Sequence, residues 1–338
     1  MKMRISVPLV AGATLFAVGG AQAETVTLSL SSWAGPNHAI SRVGLKNWAD
    51  AVAKKSNGSL KINISFPPVN PKVMYDRARE GISDVTWGFN GYTPGRFKTY
   101  LLAELPGLAA GAEAASVAYW RTHVKYLAKA NEYRGVKLLA LFVQPPSVVH
   151  SRDELDTLAK MKGKKIRVGG GIQGKVASLL GMVGVQAPVP EAYQMLKEGV
   201  VDGTFFPAET AISFKLTEVT KHQLGFRAGL FYGAYFVVMN PRKYESLSKA
   251  HKAVIDGTTG EALARTIGTA WQDSEKAAIA ALEKAGTFKF ASPELSKAVM
   301  ERLKPLDAEY VKEASSTGID GKAALEFLRR EAKTLSAK

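Results

Sequence analysis

The 338-residue chain is 46% hydrophobic and 22% charged, a globular composition rather than a disordered or fibrous one. A single core usually stops growing at roughly 250–300 residues, so two lobes are the default expectation. Cysteine is absent, which excludes disulfides, thiolate metal sites, cysteine nucleophiles and a lipid-carrying N-terminal cysteine. Lys and Arg total 45 against 30 Asp and Glu, a net charge of +15. The basic residues are dispersed, and no Arg-rich arm or nucleic-acid motif accompanies them. A solvated basic surface that attracts small anions is expected, with no nucleic-acid partner.

Lys2 and Arg4 precede an apolar run from Ile5 to Gly20, and Ala21-Gln22-Ala23 supplies a small-x-small cleavage pattern. The run is too short and glycine-rich to favour spanning a bilayer, which needs about 20 apolar residues. A targeting segment over 1–23 is therefore expected, with export to the periplasm. A buried N-terminal helix is the alternative, and it leaves the basic start and the cleavage pattern unexplained.

Strands and helices then alternate as in α/β folding. Val26 to Ser31 alternates as a strand, and His38 to Lys55 carries Ile40, Val43, Leu45, Trp48 and Val52 at helical spacing. Ser56-Asn57-Gly58 ends that helix before a strand from Leu60 to Phe66. A short helix over Val73 to Glu80 leads to a third strand, Asp84 to Phe89. Ala112 to Ala130 is predicted helical and Val136 to Val143 a buried strand.

After Pro145-Pro146 a second series begins with a strand over Lys164 to Val168 and a helix over Gln173 to Met182. Val185 to Val189 is extended, and Pro190 opens a helix through Glu198. Phe231 to Met239 reads as a long apolar strand. Ser248 to Ala285 is helical almost without a break, long enough to brace both lobes. Pro293 opens another helix, and Gly321 to Ser336 is amphipathic. The predicted division is lobe I over 24–147, completed by about 236–265. Lobe II covers 148–235, completed by about 286–338, and the bridging helix covers 248–285. The chain crosses between lobes near Gln144 to Ser151 and returns near Phe231 to Met239. Two such crossings make a hinge over a cleft, which suits ligand capture by closure.

Two glycine motifs fail at named residues. Gly169 to Gly174 satisfies G-x-G-x-x-G, but the acidic residue a dinucleotide site needs at the end of the next strand is missing. The nearest candidate, Glu191, follows Pro190 in the first turn of a helix, where a carboxylate complements the dipole. The phosphate-loop reading through Lys175 requires Ser or Thr next, and position 176 is Val. What remains is that these glycines let a main chain or ligand approach closely. The five histidines are isolated, no H-E-x-x-H or G-x-S-x-G occurs, and Asp153, Glu154 and Asp156 read as the start of a solvated helix. No metal, cofactor or catalytic constellation is expected.

Arg167 ends a strand just before the glycines. Its guanidinium offers two parallel donors matched to a carboxylate, and the helix that follows adds a favourable field for an anion. From spacing alone an ordinary surface arginine beside Lys164 and Lys165 stands equally open.

Lys162-Gly163-Lys164-Lys165-Ile166-Arg167-Val168, with Gly199-Val200-Val201-Asp202-Gly203 some thirty residues later, resembles the solute-binding proteins of TRAP (tripartite ATP-independent periplasmic) transporters, dicarboxylate-receptor branch. The resemblance spans essentially the whole mature chain, including Lys55 to Gly58 and Glu104-Leu105-Pro106. It implies the two-lobed periplasmic-binding-protein fold with hinge strands and one long helix behind both lobes. It also implies that Arg167 pairs with a substrate carboxylate, and that integral membrane subunits of the transporter engage the closed, loaded receptor.

Three positions depart from that family's pattern. Gln-Glu-Asn-Pro commonly follows V-D-G, its Asn touching the ligand; here Thr204-Phe205-Phe206-Pro207 stands instead. Ser147 matches a second arginine often found on the first hinge strand, and Phe89, with Asn90 beside it, stands where sugar-acid binders carry a polar residue. A second carboxylate or a row of hydroxyls would then be buried without partners, costing roughly 1–3 kcal/mol per neutral group. An apolar body would gain about 25 cal/mol per Å² removed from water. Trp33, Phe89, Phe206 and Tyr235 are the candidate walls, although each taken alone is more often core than pocket. Gly169 permits close approach. The expected ligand is thus an apolar or aromatic monocarboxylate, such as an aromatic acid or a 2-oxo acid. A C4-dicarboxylate or sugar acid is the alternative within the class. An exported enzyme on the same fold is the alternative outside it, and no base or nucleophile facing Arg167 supports it.

The cleavage pattern gives a direct test. The intact mass of the exported protein is expected to correspond to a chain starting at Glu24, and retention of residues 1–23 would contradict export.

Overall fold

The computed structural model describes residues 25–337, so the expected targeting segment and its cleavage site lie outside the described residues. Two open sheets build two lobes. The first contains β1 (Val26–Ser31), β2 (Leu60–Ser65), β3 (Val85–Phe89) and β4 (Lys137–Val143). The second contains β5 (Val148–Ser151), β6 (Lys165–Val168), β7 (Val183–Gln186), β8 (Gly203–Phe206) and β9 (His222–Gly225). Strand β10 (Ala234–Met239) then returns to the first sheet and β11 (Phe288–Phe290) to the second. The orders are β2-β1-β3-β10-β4 and β11-β9-β5-β8-β6-β7. β10 runs antiparallel between β3 and β4, while β1 is parallel to both of its neighbours. β3 and β10 are buried at every residue, which is why they read as apolar runs without alternation.

Two short segments connect the sheets. β4 passes to β5 through Gln144 to Ser147, and the return enters β10 through Phe231 to Gly233. The crossings are bonded to each other, Gln144 N–H to Gly233 O at 2.9 Å and Ser147 N–H to Phe231 O at 2.9 Å. Any opening motion must therefore bend both together.

Two expectations are corrected. The predicted unbroken helix over 248–285 is interrupted between Lys249–Asp256 and Glu261–Lys284. Gly260 sits at φ +67, its N–H donates to Leu139 O at 2.6 Å, and Trp120 lies 3.2 Å from where a Cβ would be. That conformation suits only glycine, whereas the apolar periodicity continues through it. The 24-residue helix beyond the break is about 36 Å long. It packs on Ala112–Thr122 and β4 in the first lobe and on Ala208–Ser213 and β11 in the second.

The second correction concerns 286–338, expected to complete lobe II. β11 and Pro293–Leu303 do so, the latter against Gln173–Leu179. Pro305–Ser315 and Gly321–Ser336 instead cover Leu101–Glu104 and Ala112–Thr122 of lobe I. Leu325 and Leu328 bury the apolar stripe of the last helix, and Arg329 ties it to Asp307 at 2.7 Å and Pro106 O at 3.0 Å. Amphipathicity shows that a helix must cover something, not which lobe. The acidic cluster at 153–156 precedes one helical turn, Leu158–Met161, and pairs with Lys160, Lys164 and Lys289.

Three buried carboxyls join the segments around the hinge. Glu104 of lobe I accepts the N–H of Ala234 on β10 at 3.0 Å and of Ile172 in lobe II at 3.1 Å. Glu209 of lobe II accepts Ala39 N–H of lobe I at 3.0 Å and Trp271 Nε1–H of the long helix at 3.1 Å. Glu275, on that helix, accepts the N–H groups of Ala208 and Glu209 at 2.8 Å each, capping Ala208–Ser213. Burial raises Glu104 and Glu275 from 4.5 to about 8, the backbone donors pulling partly the other way.

Both carboxyls thus hold their protons more tightly in the folded chain than in the unfolded one. Through them the folded state binds extra protons between pH 4.5 and about 8, and their contribution to stability falls as pH rises through that window. Burial lowers His123 and His150 to about 4, and their contribution rises with pH up to the ordinary histidine value of 6.5, so the melting temperature is expected to decline above it, from pH 6.5 to about 8. Glu275→Gln should lower stability at the acid end by about 1–3 kcal/mol, because one N–H loses its acceptor, and should flatten the slope. A slope unchanged by Glu275→Gln would contradict this assignment.

Candidate functional site

β6 lies between β8 and β7 in the second sheet and carries Arg167 one residue before its C-terminal end, beside Tyr92 and Tyr235 of the first lobe. Its side chain is 1% exposed. Nε donates to Ala187 O at 2.7 Å, and the guanidinium lies over the Phe206 ring, 4.5 Å from its centroid. Nη2 has no hydrogen-bond partner, and among the described residues no carboxylate pairs with Arg167. Burial lowers its pKa, with Tyr92, Tyr235 and Glu191 opposing, yet a guanidinium remains protonated in proteins. The result is a buried cation with a free donor and no counter-charge, a costly arrangement that an incoming anion relieves.

Gly169 keeps the approach to this donor open, since a Cβ there would stand 3.2 Å from Nη2. Its N–H is held by Gln173 Oε1 at 2.7 Å. The next two glycines serve lobe contact. Gly170, at φ +126, would drive a Cβ to 2.3 Å from Gly91 O, and Gly171, at φ +59, would meet Glu104 Oε2 at 2.1 Å. The triple glycine is thus a place where two main chains meet across the cleft, in keeping with the close-approach reading.

Aromatic rings enclose the guanidinium from both lobes. Phe89, at the end of β3, lies 5.1 Å from Tyr92 and 5.2 Å from Tyr235 between ring centroids. Trp33, following β1, lies 4.6 Å from Trp87, edge-on to Tyr92 at 6.1 Å and near-parallel to Phe214 of lobe II at 6.5 Å. Arg167, Gly169, Phe206, Phe89, Tyr235 and Trp33 are accordingly brought into one neighbourhood. Ser147 joins it indirectly: Gln144 Nε2 donates to the Ser147 hydroxyl at 2.7 Å, and Gln144 Oε1 accepts Tyr235 O–H at 2.9 Å. Asn90 is set apart, its amide donating to Tyr133 Oη at 2.6 Å within the lobe I core.

Sequence reasoning missed Tyr92, Gln144 and Phe214. Tyr92 stands three residues beyond Phe89 in a one-turn helix, Asn90–Tyr92, where neither a 2- nor a 3.6-residue period marks a face. Gln144 is the polar residue that ends an otherwise apolar strand, a signal present in the sequence and unused. Phe214 follows the short helix Ala208–Ser213, whose position at the cleft only the fold reveals. Two open grooves, of about 670 and 780 Å³, flank the long helix, and Arg167 lines neither.

Comparison with known proteins places this geometry in a family. The profile described as "Bacterial extracellular solute-binding protein, family 7" (DctP) matches residues 31–313. A TRAP periplasmic solute-binding protein of Bordetella bronchiseptica, solved with bound (R)- and (S)-mandelate, is 36% identical. That match covers 92% of this chain and 99% of that one, with a TM-score of 0.88. A marine-metagenome TRAP solute-binding protein specific for aromatic acids, solved with 3-hydroxybenzoate, is 32% identical over 93% of this chain and 100% of that one, TM-score 0.86. A curated relative from Comamonas testosteroni, named outer membrane transporter protein TsaT, is 28% identical over 92% of this chain and 93% of its own. Together with the two-sheet fold and the buried cation in its cleft, the match over most of the chain makes this protein a member of solute-binding protein family 7, a solute receptor of the TRAP class.

Proposed function

We propose that this receptor binds an aromatic or apolar monocarboxylate in the cleft around Arg167 and delivers it to the integral membrane subunits of a TRAP transporter. The observation that carries the reading is the Arg167 guanidinium, 1% exposed, with Nη2 unpartnered and aromatic rings around it. The carboxylate takes the free donor, and the ligand body lies among Trp33, Phe89, Phe206 and Tyr235. A second ligand carboxylate would meet no second cation there, because Ser147 and Gln144 occupy each other. The two relatives solved with mandelate and 3-hydroxybenzoate support the same class.

The protein acts by capture and release, making and breaking no covalent bond, and works in the periplasm after cleavage following Ala23. Among the described residues no helix is long and apolar enough to cross a membrane, and both sheets are open. The family match and the basic start, apolar run and Ala21-Gln22-Ala23 pattern of the sequence support the periplasmic reading.

A thermal-shift panel of carboxylates tests the ligand class. Ligand at 100 times its dissociation constant stabilises by about 2.7 kcal/mol, so mandelate, 3-hydroxybenzoate or a branched 2-oxo acid should raise the melting temperature while succinate and sialic acid do not. Preference for a dicarboxylate would contradict the reading. In titration calorimetry, Arg167→Ala should weaken the best ligand by roughly 30- to 4,000-fold, because truncating one partner of a buried charge pair costs about 2–5 kcal/mol. Arg167→Lys should restore only part, since an ammonium lacks the planar fork. Binding by Arg167→Ala within threefold of wild type would overturn the assignment.

A further inference from the structure

We propose that Tyr92 and Trp33 complete the anion site, forming with Arg167 a cradle of three donors that selects a carboxylate over its amide. The inference rests on the reading of Arg167 as the carboxylate residue and assigns the remaining contacts of the same head group.

Trp33 Nε1 is buried and has no acceptor, as is Arg167 Nη2. The Tyr92 hydroxyl is partnered on one side only. Its oxygen accepts Val189 N–H at 3.0 Å and faces the guanidinium, and both neighbours can only donate. The hydroxyl proton therefore has no acceptor among the described residues. Tyr92 is 4% exposed, and burial raises its pKa, so the proton stays on the oxygen. Trp33 and Tyr92 stand edge-on at 6.1 Å between ring centroids, and the Tyr92 hydroxyl borders the guanidinium, so Trp33 reaches the site through Tyr92.

Asn90 Oδ1 is buried and free, but its amide is turned to Tyr133 in the lobe I core, and three other acceptors are engaged. Ala187 O receives Arg167 Nε–H at 2.7 Å, Gln173 Oε1 receives Gly169 N–H at 2.7 Å, and Gln144 Oε1 receives Tyr235 O–H at 2.9 Å. A head group entering here meets donors and must bring lone pairs. A carboxylate has about four acceptor sites and no hydrogen. An amide of the same shape would turn its NH2 toward donors, leaving buried groups unpaired, the situation that gives polar sites their sharpest discrimination. Tyr92 has a second consequence. Lobe I supplies its side chain and lobe II its Val189 donor, so the third contact is assembled only when the lobes are together.

The test compares 3-hydroxybenzoate and mandelate, with their amides, against wild type and Tyr92→Phe. Wild type should prefer each acid strongly to its amide. Tyr92→Phe should weaken the tighter acid by about 10- to 150-fold, the worth of a hydrogen bond to a charged group, and should narrow the acid-to-amide ratio. A purely structural role in closure would weaken acid and amide alike and leave the ratio unchanged, which would overturn the proposal. Independently, the Trp33 indole N–H resonance, assigned with Trp33→Phe, should move downfield on saturation with the acid. An unmoved resonance at saturation would remove Trp33 from the cradle. If neither acid binds wild type, the carboxylate reading itself fails and the cradle with it. Binding of an acid with no effect of Tyr92→Phe refutes the cradle alone.

Discussion

A buried guanidinium without a counter-charge is the constraint around which this structure is arranged. Arg167 is held by one carbonyl, one aromatic face and one tyrosine oxygen, none of which carries a negative charge. Left so, it is a destabilising element, because a charge removed from water must be paired to recover its hydration. The folded receptor keeps that deficit open, and on the proposed reading an anionic ligand fills it, so that binding would supply the charge that favours apposition of the two lobes.

The remaining contacts across the cleft keep closure specific in geometry. Glu104 and Glu209 each accept a main-chain N–H from the opposite lobe, and Gly91 meets Gly170 with no room for a side chain between them. These are short, directional contacts that form in one relative placement of the lobes. The bonded pair of hinge crossings and the long helix behind both lobes restrict the path to that placement. The aromatic enclosure removes water from the guanidinium, which strengthens its attraction for an anion and, on the proposed reading, would favour a flat apolar body over a hydroxylated one.

Much of the fold was legible because periodicity reports burial. β1, the strand carrying Arg167 and the helix Gly321–Ser336 appear in the structure within a residue or two of where apolar spacing puts them. The short strands β5, β8 and β9 escaped, since four residues buried throughout, or nearly so, carry no alternation. The break at Gly260 escaped because the apolar stripe continues across it. Destination was the other blind spot: the last helix announces an apolar face but not that lobe I receives it. At the site, Arg167 stood out at a strand end before glycines but was told from a surface arginine only by the family resemblance, and Phe89 and Phe206 stood out as departures from that family's pattern. Tyr92 and Gln144 were not, because their roles depend on which lobe they face when the chain closes.

A crystal structure of the receptor with 3-hydroxybenzoate or mandelate tests the central claim most directly. The account predicts a carboxylate oxygen at about 2.7–2.9 Å from Arg167 Nη2, the spacing of a charge-assisted hydrogen bond, with the ring among Trp33, Phe89, Phe206 and Tyr235. A ligand seated in either open groove beside the long helix, or an Arg167 paired with a protein carboxylate in the loaded form, would contradict it.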